Sequence, residues 1–300
     1  MDDARLRSVA KTVKDAAGEI VATFFNDRPF QLAAALGYYT LLSMAPLLLL
    51  LIGAAGLIFS EEAARGQLGG YSGSIMGKAL AEAVQAMLAN AGSHRTGVIS
   101  TIVGTAVLIV AATTVFAQLQ SALNQIWNVE AAPRYGVIMN FLRARLFSLG
   151  MVFALAFILL VSMVVSTLIA GLQYYFSHLF PGADIFIRIV YGIVSFLVVA
   201  GIIAMVFKFV PDVRIGWRDV SIGALITSAL FTIGRYFIGL YIGHARFNSY
   251  GAAGSLILVV VWVYYASLIL FFGAEITQVY TKRFGSQIRP SAHARFRDRH

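Results

Sequence analysis

The sequence predicts an all-α membrane protein whose core is a bundle of six transmembrane helices. Hydrophobic residues make up 59% of its 300 residues and charged residues only 12%, whereas a soluble domain carries about 25% charged residues. Several apolar runs exceed the roughly 18 residues needed to cross a hydrocarbon core. These runs are continuously apolar and do not alternate with polar residues, which disfavours a membrane β-barrel.

Six predicted spans follow one another along the chain, at about 33–59, 98–120, 146–176, 185–210, 219–243 and 252–280. If both termini are cytoplasmic, the inner segments hold 17 of the 23 Lys and Arg residues and the outer segments hold 5. Cytoplasmic flanks are enriched in Lys and Arg, so this bias predicts a multi-pass protein with its N- and C-termini inside. We interpret the net charge of +9 as an orientation signal and a fit to anionic lipid headgroups, not as a nucleic-acid site.

The predicted organisation is a single six-helix transmembrane domain over residues 1–283. Residues 1–30 are predicted to form a cytoplasmic interfacial helix, because apolar residues recur at near-helical spacing between basic and acidic ones over 5–25. The extracytoplasmic segment 60–97 contains a second amphipathic helix between spans one and two, which either caps the bundle or acts as a gate or lipid-facing wedge. Residues 284–300 are predicted to be a basic, disordered cytoplasmic tail.

Motifs that carry chemistry are sparse. There is no cysteine, which excludes disulfides, thiolate metal sites and a cysteine nucleophile. The histidines do not lie at metal-ligand spacing from one another or from a carboxylate, and no H-E-x-x-H, P-loop or G-x-S-x-G pattern occurs. Glu275 is the only carboxylate in the interior of a predicted span, since Asp219 stands at the first position of the fifth. We therefore expect no enzymatic activity, no metal site and no cofactor.

Arg235 lies inside the fifth predicted span, in TIGRYFIGLYIG. Its guanidinium keeps its charge, and a charge in hydrocarbon is costly. At a rise of about 1.5 Å per residue, Arg235 and Glu275 lie at different depths, which argues against an ion pair between them. The remaining partners are backbone carbonyls, the hydroxyls of Tyr236 or Tyr241, water or an anionic ligand. Arg235 therefore either snorkels to the outer headgroups or lines a polar cavity and binds a phosphate-bearing group.

Glu275 is predicted to face cationic residues at the inner end of the bundle. Lys208 lies at the inner end of the fourth span, and Arg214 and Arg218 follow in the next short loop. We expect Lys208, Glu275 and Arg218 to form an inner gate or an ion pair. A purely structural pair is the alternative interpretation.

Other polar residues and one proline complete the set of candidates. Gln118 and Gln125 are seven residues apart and share a helix face. With Tyr38 and Tyr39 of the first span, they either line a wet interior or form hydrogen bonds between helices. Pro46 interrupts the first span, where we predict a helix kink.

Five stretches together resemble one bacterial family. They are AAALGYYTLLSMAPLLLLL, ALNQIWNV, YGVIMNFLRARLFSLG, KFVPDVRIGWRDVSIGALI and YGAAGSLILVVVWVYYASLILFFGAEITQVY. The chain resembles the YihY/BrkB family of inner-membrane proteins, once mislabelled ribonuclease BN, over about residues 20–283. The resemblance implies six transmembrane helices, a location in the bacterial inner membrane and a role in envelope lipid traffic.

The leading functional expectation is a transporter or flippase-like protein for an anionic lipid or another envelope amphiphile. One alternative is a non-transporting scaffold or assembly factor for envelope biogenesis, and another is a transporter of small solutes or ions. Membrane lipids, especially anionic ones, are the expected partners. Small residues on the helix faces also leave open a homo-oligomer or a partner from the envelope machinery.

Overall fold

The computed structural model describes residues 2–56, 98–132, 146, 150, 183–244, 252–291 and 294–297. The helices bounded within these ranges are α1 (Asp2–Asn26), α2 (Pro29–Gly56), α3 (Val98–Ile126), α4 (Ala183–Phe209), α5 (Trp217–His244) and α6 (Ala252–Phe284). The strands are β1 (Val129–Ala131), β2 (Val213–Arg214), β3 (Arg289–Pro290) and β4 (Ala294–Phe296).

Five of the six predicted spans coincide with these helices. In the described part of the chain, three segments are long and apolar enough to cross a membrane: Gly192–Phe209, Trp217–Tyr241 and Ile257–Phe284. They correspond to the fourth, fifth and sixth predicted spans, while α2 and α3 cover the first two as helices. The third span, apart from residues 146 and 150, and the segment 60–97 lie outside the described residues. The interfacial helix predicted over 5–25 is helical as α1.

Two sharp corners fix how the helices follow each other. Arg28 has a φ of 53° between α1 and α2, and Pro29 then occupies the first helical position, where a missing N–H is tolerated. Asn128 has a φ of 53° just after α3, which is the left-handed conformation common at helix C-termini. These corners place Asp27 and Trp127 at the same end of the bundle.

The buried core is concentrated at that end, which we call the base. Helix α6 is central: it packs against α5, α2, α1 and α3, while α2 also packs on α3 and α4 packs on α5. Large side chains that are almost fully buried there include Leu123, Ile126, Trp127, Phe207 and Phe271. Away from the base, α4 exposes Ile189, Ile193 and Leu197 at helical spacing, as a helix surrounded by lipid would do.

Reciprocal glycine–threonine contacts define the seam between α5 and α6. Gly223 of α5 faces Thr277 of α6, and Gly273 of α6 faces Thr227 of α5. Both threonine hydroxyls donate to the carbonyl four residues earlier on their own helix, at 2.7 Å in each case. Each helix thus presents a small residue followed four positions later by a threonine, the spacing that allows close helix approach in membranes.

The C-terminal tail is ordered at the residues the structure describes. Strand β4 pairs antiparallel with β1, and β3 pairs antiparallel with β2. We call these two pairings the strand clasp. The expectation of a disordered tail over 284–300 is therefore wrong for residues 289–290 and 294–296. Strands β1 and β2 follow α3 and α4 directly. The tail strands form hydrogen bonds with the backbone N–H and C=O groups of β1 and β2.

Candidate functional site

The predicted ligand-binding residues lie on two sides of α6. Gly37, which precedes Tyr38 and Tyr39 on α2, lies against Val260 and Tyr264 of α6. Gly234, which precedes Arg235 and Tyr236 on α5, lies against Tyr265 and Ile269 of α6. Tyr38 and Tyr39 thus follow a contact between α2 and α6, whereas Arg235 and Tyr236 follow a contact between α5 and α6.

Arg235 lies on an exposed surface of α5 that also carries three aromatic side chains. Gly234 and Ile238 point toward the rest of the bundle, and Ile238 is only 8% exposed. Because they are four residues apart on one face, the intervening residues turn outward. The outward-facing set is Ile233, Arg235, Tyr236, Phe237, Leu240 and Tyr241, with Tyr236 67% exposed. We call this set the Arg235 face.

Tyr38 and Tyr39 form an edge-to-face pair, with their ring centroids 5.5 Å apart. Tyr38 is exposed, whereas Tyr39 and Gln118 are half-buried. Pro46 lies within α2, which is helical without interruption from Pro29 to Gly56. The predicted kink at Pro46 stays a prediction.

Gln125 makes the interhelical hydrogen bond that was one of its two predicted roles. Its side-chain Nε2 donates to the backbone carbonyl of Asp27 at 2.9 Å. The end of α3 is thus tied to the corner between α1 and α2, at the base of the bundle.

The predicted pairing of Glu275 with Lys208 is wrong. Lys208 donates to the carbonyl of Ile215, and its Nζ lies 5.4 Å from the centre of the Trp217 ring. Lys208, at the end of α4, therefore contacts the loop that leads into α5 and the first residue of α5. Arg218 is exposed at the start of α5.

Glu275 instead faces the corner between α1 and α2. Its carboxyl lies within hydrogen-bonding reach of the Asp27 carboxyl and beside the Thr23 hydroxyl, and Lys282 is the cation whose charge acts on it. Glu275 is 1% exposed. Sequence reasoning missed Asp27 because it considered only carboxylates inside the predicted spans, and Asp27 lies just before the first one.

Gln278 and Trp127 extend this buried polar region. Gln278 lies one turn after Glu275 and donates through Nε2 to the carbonyl of Ile126, the residue before Trp127. Within the described residues, both oxygens of Glu275, the Oε1 of Gln278 and the Nε1 of Trp127 are buried without a hydrogen-bond partner. We call Asp27, Glu275, Gln278 and Trp127 the base cluster.

A second polar network at the base also escaped prediction. Asn124 donates to the Asp212 carboxylate at 2.8 Å and accepts from its backbone N–H at 2.8 Å, while Gln120 donates to the same carboxylate at 3.3 Å. The polar run at the end of the second predicted span and the aspartate after Pro211 were the available signals. All of these groups are satisfied, which indicates a structural role at the α3–α4 junction.

No group of three or more His, Asp or Glu side chains that could hold a metal ion occurs among the described residues. The base cluster accordingly offers only two carboxyl groups. The atoms of the cluster that are buried without a partner are three oxygens, two of Glu275 and one of Gln278, and one N–H donor, that of Trp127.

Long apolar helices, exposed apolar faces and a buried base define a polytopic helical membrane protein. The chain belongs to the family described as Virulence factor BrkB, which it matches over residues 20–298. This match confirms the family resemblance seen in the sequence.

Three relatives show how far the similarity extends, and each is named a UPF0761 membrane protein. The Vibrio campbellii protein is 29% identical over 269 residues, covering 86% of this chain and 79% of the relative. The Psychrobacter sp. protein is 27% identical over 280 residues, covering 90% of this chain but 49% of the relative. The Pseudomonas paraeruginosa protein is 26% identical over 256 residues, covering 84% and 59% respectively. The chain thus spans about half to four-fifths of these relatives. No solved structure matches it.

Proposed function

We propose that this protein is a transporter of the bacterial inner membrane that moves an anionic lipid or another envelope amphiphile between leaflets. Both termini lie in the cytoplasm in this proposal, as the distribution of Lys and Arg predicts. The observation that carries the proposal is the Arg235 face, where an arginine is exposed among aromatic side chains on a membrane-spanning helix.

The chemistry of this face suits a phosphate headgroup. A guanidinium binds phosphate through a planar fork of donors, and charge-assisted hydrogen bonds of this kind are the strong ones. Tyrosine rings favour the boundary between hydrocarbon and headgroups, so Tyr236 and Tyr241 suit the region where an amphiphile's headgroup meets its chains.

The orientation of the face favours an amphiphile over a small solute. Arg235 is exposed, whereas Gly234 and Ile238 lie on the side of α5 that faces the bundle. A ligand that reaches Arg235 from the exposed side comes from the surrounding lipid. Tyr38, exposed on α2 on the other side of α6, is a second candidate contact for the same lipid along its path.

The test uses purified full-length protein in liposomes that contain a headgroup-labelled anionic lipid. We expect the wild type to accelerate movement of the labelled lipid between leaflets. Arg235→Ala is expected to lower the rate roughly tenfold or more, since a hydrogen bond to a charged group contributes about 1.5–3 kcal/mol. Arg235→Lys is expected to retain part of the rate, because it keeps the charge and loses the fork.

A matched control separates this role from a general loss of positive charge. Arg297 is an exposed arginine in the tail, outside the helices, and Arg297→Ala is expected to translocate lipid like the wild type. Equal rates for Arg235→Ala and the wild type, at equal protein content, would remove Arg235 from the mechanism. A wild type that moves no labelled lipid would overturn the transport proposal.

A further inference from the structure

The base cluster places the buried carboxyl of Glu275 beside the half-buried carboxyl of Asp27. Asp27 comes from the corner between α1 and α2, and Glu275 from α6. Helix α3 also contacts the cluster through two hydrogen bonds. The Gln125 side chain donates to the backbone carbonyl of Asp27, and the Gln278 side chain donates to the backbone carbonyl of Ile126. Three parts of the chain, the α1–α2 corner, α3 and α6, thus converge on the cluster.

The Glu275 carboxyl is the part of the cluster whose oxygens have no donor among the described residues. Thr23, the hydroxyl beside Glu275, donates to its own helix, to the Glu19 carbonyl at 2.8 Å. The Gln278 N–H₂ group is turned to Ile126. Within the described residues, the two Glu275 oxygens therefore remain buried without a donor. An ionised carboxylate can only accept hydrogen bonds, so two ionised carboxylates cannot bond to each other.

We propose that Asp27 and Glu275 form a proton-binding site, in which one exchangeable proton is held between their two carboxyl groups. The proton gives the buried Glu275 carboxyl a hydrogen bond that its oxygens otherwise lack. It also removes one of two like charges that would otherwise lie next to each other, which is the arrangement seen when two carboxyls share a site. The site binds its proton whether or not the protein transports lipid.

The charged surroundings fit a single proton. Lys282, one turn beyond Gln278 on α6, is the cation whose charge acts on Glu275. Glu19 of α1 is occupied by Arg283 at 2.6 Å. The residues that α3 contributes here, Gln125, Ile126 and Trp127, are uncharged. One bound proton thus leaves one negative charge near one lysine.

The direct test is infrared spectroscopy of the purified full-length protein in lipid nanodiscs. The carbonyl stretch of a protonated carboxyl group reports the bound proton. We expect the wild type to show such a band at neutral pH, where ordinary carboxyls with pKa values near 4 are ionised, and to lose it on alkalinisation. Glu275→Gln and Asp27→Asn should each remove the band. Glu130→Gln, which changes a surface carboxylate paired with Arg295, should leave it in place.

A second readout is thermal stability as a function of pH. The folded wild type holds a proton that the unfolded chain has lost, so its stability falls as the pH rises through the loss of the band. Glu275→Gln is expected to lack this decline, because its amide N–H is a permanent donor to Asp27. If Glu275→Gln does not fold, the test uses the infrared band alone: the band should be present in the wild type and absent from Asp27→Asn.

Three outcomes would overturn the site. One is the absence of a protonated-carboxyl band in the wild type at neutral pH, and another is a band that survives in both Glu275→Gln and Asp27→Asn. The third concerns metal ions: stabilisation of the wild type by NaCl but not by choline chloride, without the band, would assign the cluster to a sodium ion.

Discussion

Gly223→Ala adds one methyl group at the tightest point of the seam between α5 and α6. The added Cβ would lie 2.8 Å from both the Cβ and the Cγ2 of Thr277, whereas carbon atoms in contact prefer about 3.5–4.0 Å. Thr277 is fully buried and its hydroxyl is bonded to Gly273, so it has no free space to move into. The two helices must separate or distort.

The expected magnitude follows from two opposing effects. Overpacking in a well-packed core destabilises by about 1–3 kcal/mol, and an overlap near 1 Å places this site toward the upper end. Alanine favours the helix over glycine by about 1 kcal/mol, which offsets part of the loss. We expect Gly223→Ala to lower the free energy of unfolding by about 2 kcal/mol.

The assay is reversible unfolding of the purified protein in mixed detergent and SDS, followed by circular dichroism. Gly239→Ala is the matched control, because Gly239 lies on the same helix with nothing within 4 Å of an added Cβ. The control should be neutral or slightly stabilising. Combining Gly223→Ala with Thr277→Gly should destabilise less than the sum of the two single changes, since the glycine removes the clashing side chain. Equal stability of Gly223→Ala and Gly239→Ala would refute the close packing of this seam.

Two further predictions concern the strand clasp. Asp219 is 4% exposed and accepts from the Ser286 backbone N–H at 2.8 Å and from the Ser286 hydroxyl at 2.9 Å. Asp219→Ala should therefore lower the free energy of unfolding by about 1–3 kcal/mol in the same SDS titration. An unchanged midpoint would contradict the anchoring of the tail by Asp219. Glu130→Gln should change the free energy of unfolding by less than about 1 kcal/mol, since exposed ion pairs such as the 2.6 Å contact between Glu130 and Arg295 contribute little. A larger loss would mean that this ion pair holds the strand clasp together.

The sequence predicted the helices that the structure describes but not the polar contacts between them. Uninterrupted apolar runs predicted the segments that form α4, α5 and α6, because span length is set by the bilayer itself. The hydrophobic pattern does not tell which helices pack against each other. Glu275 was therefore assigned to Lys208, the nearest cation in the predicted topology, whereas the fold places Asp27 beside it.

The tail shows a second limit. Its basic composition predicted disorder because it lacks the apolar residues needed for a core. Strands β3 and β4 require no core of their own, since they complete hydrogen bonds offered by β1 and β2. A pairing between residues more than 70 positions apart in the chain is invisible to local composition. For Gln125 the sequence left two alternatives, a wet interior or a hydrogen bond between helices. The hydrogen bond from Gln125 to the Asp27 carbonyl agrees with the second.

The most direct test of the proposed transport is its dependence on headgroup charge. Two labelled lipids with identical acyl chains, one anionic and one zwitterionic, are compared in liposomes that contain the wild-type protein. Arg235 lies on an exposed surface of α5, and its guanidinium favours an anionic group. The anionic lipid should therefore cross between leaflets faster, and Arg235→Ala should bring the two rates together. Equal rates for both lipids in the wild type would contradict the account.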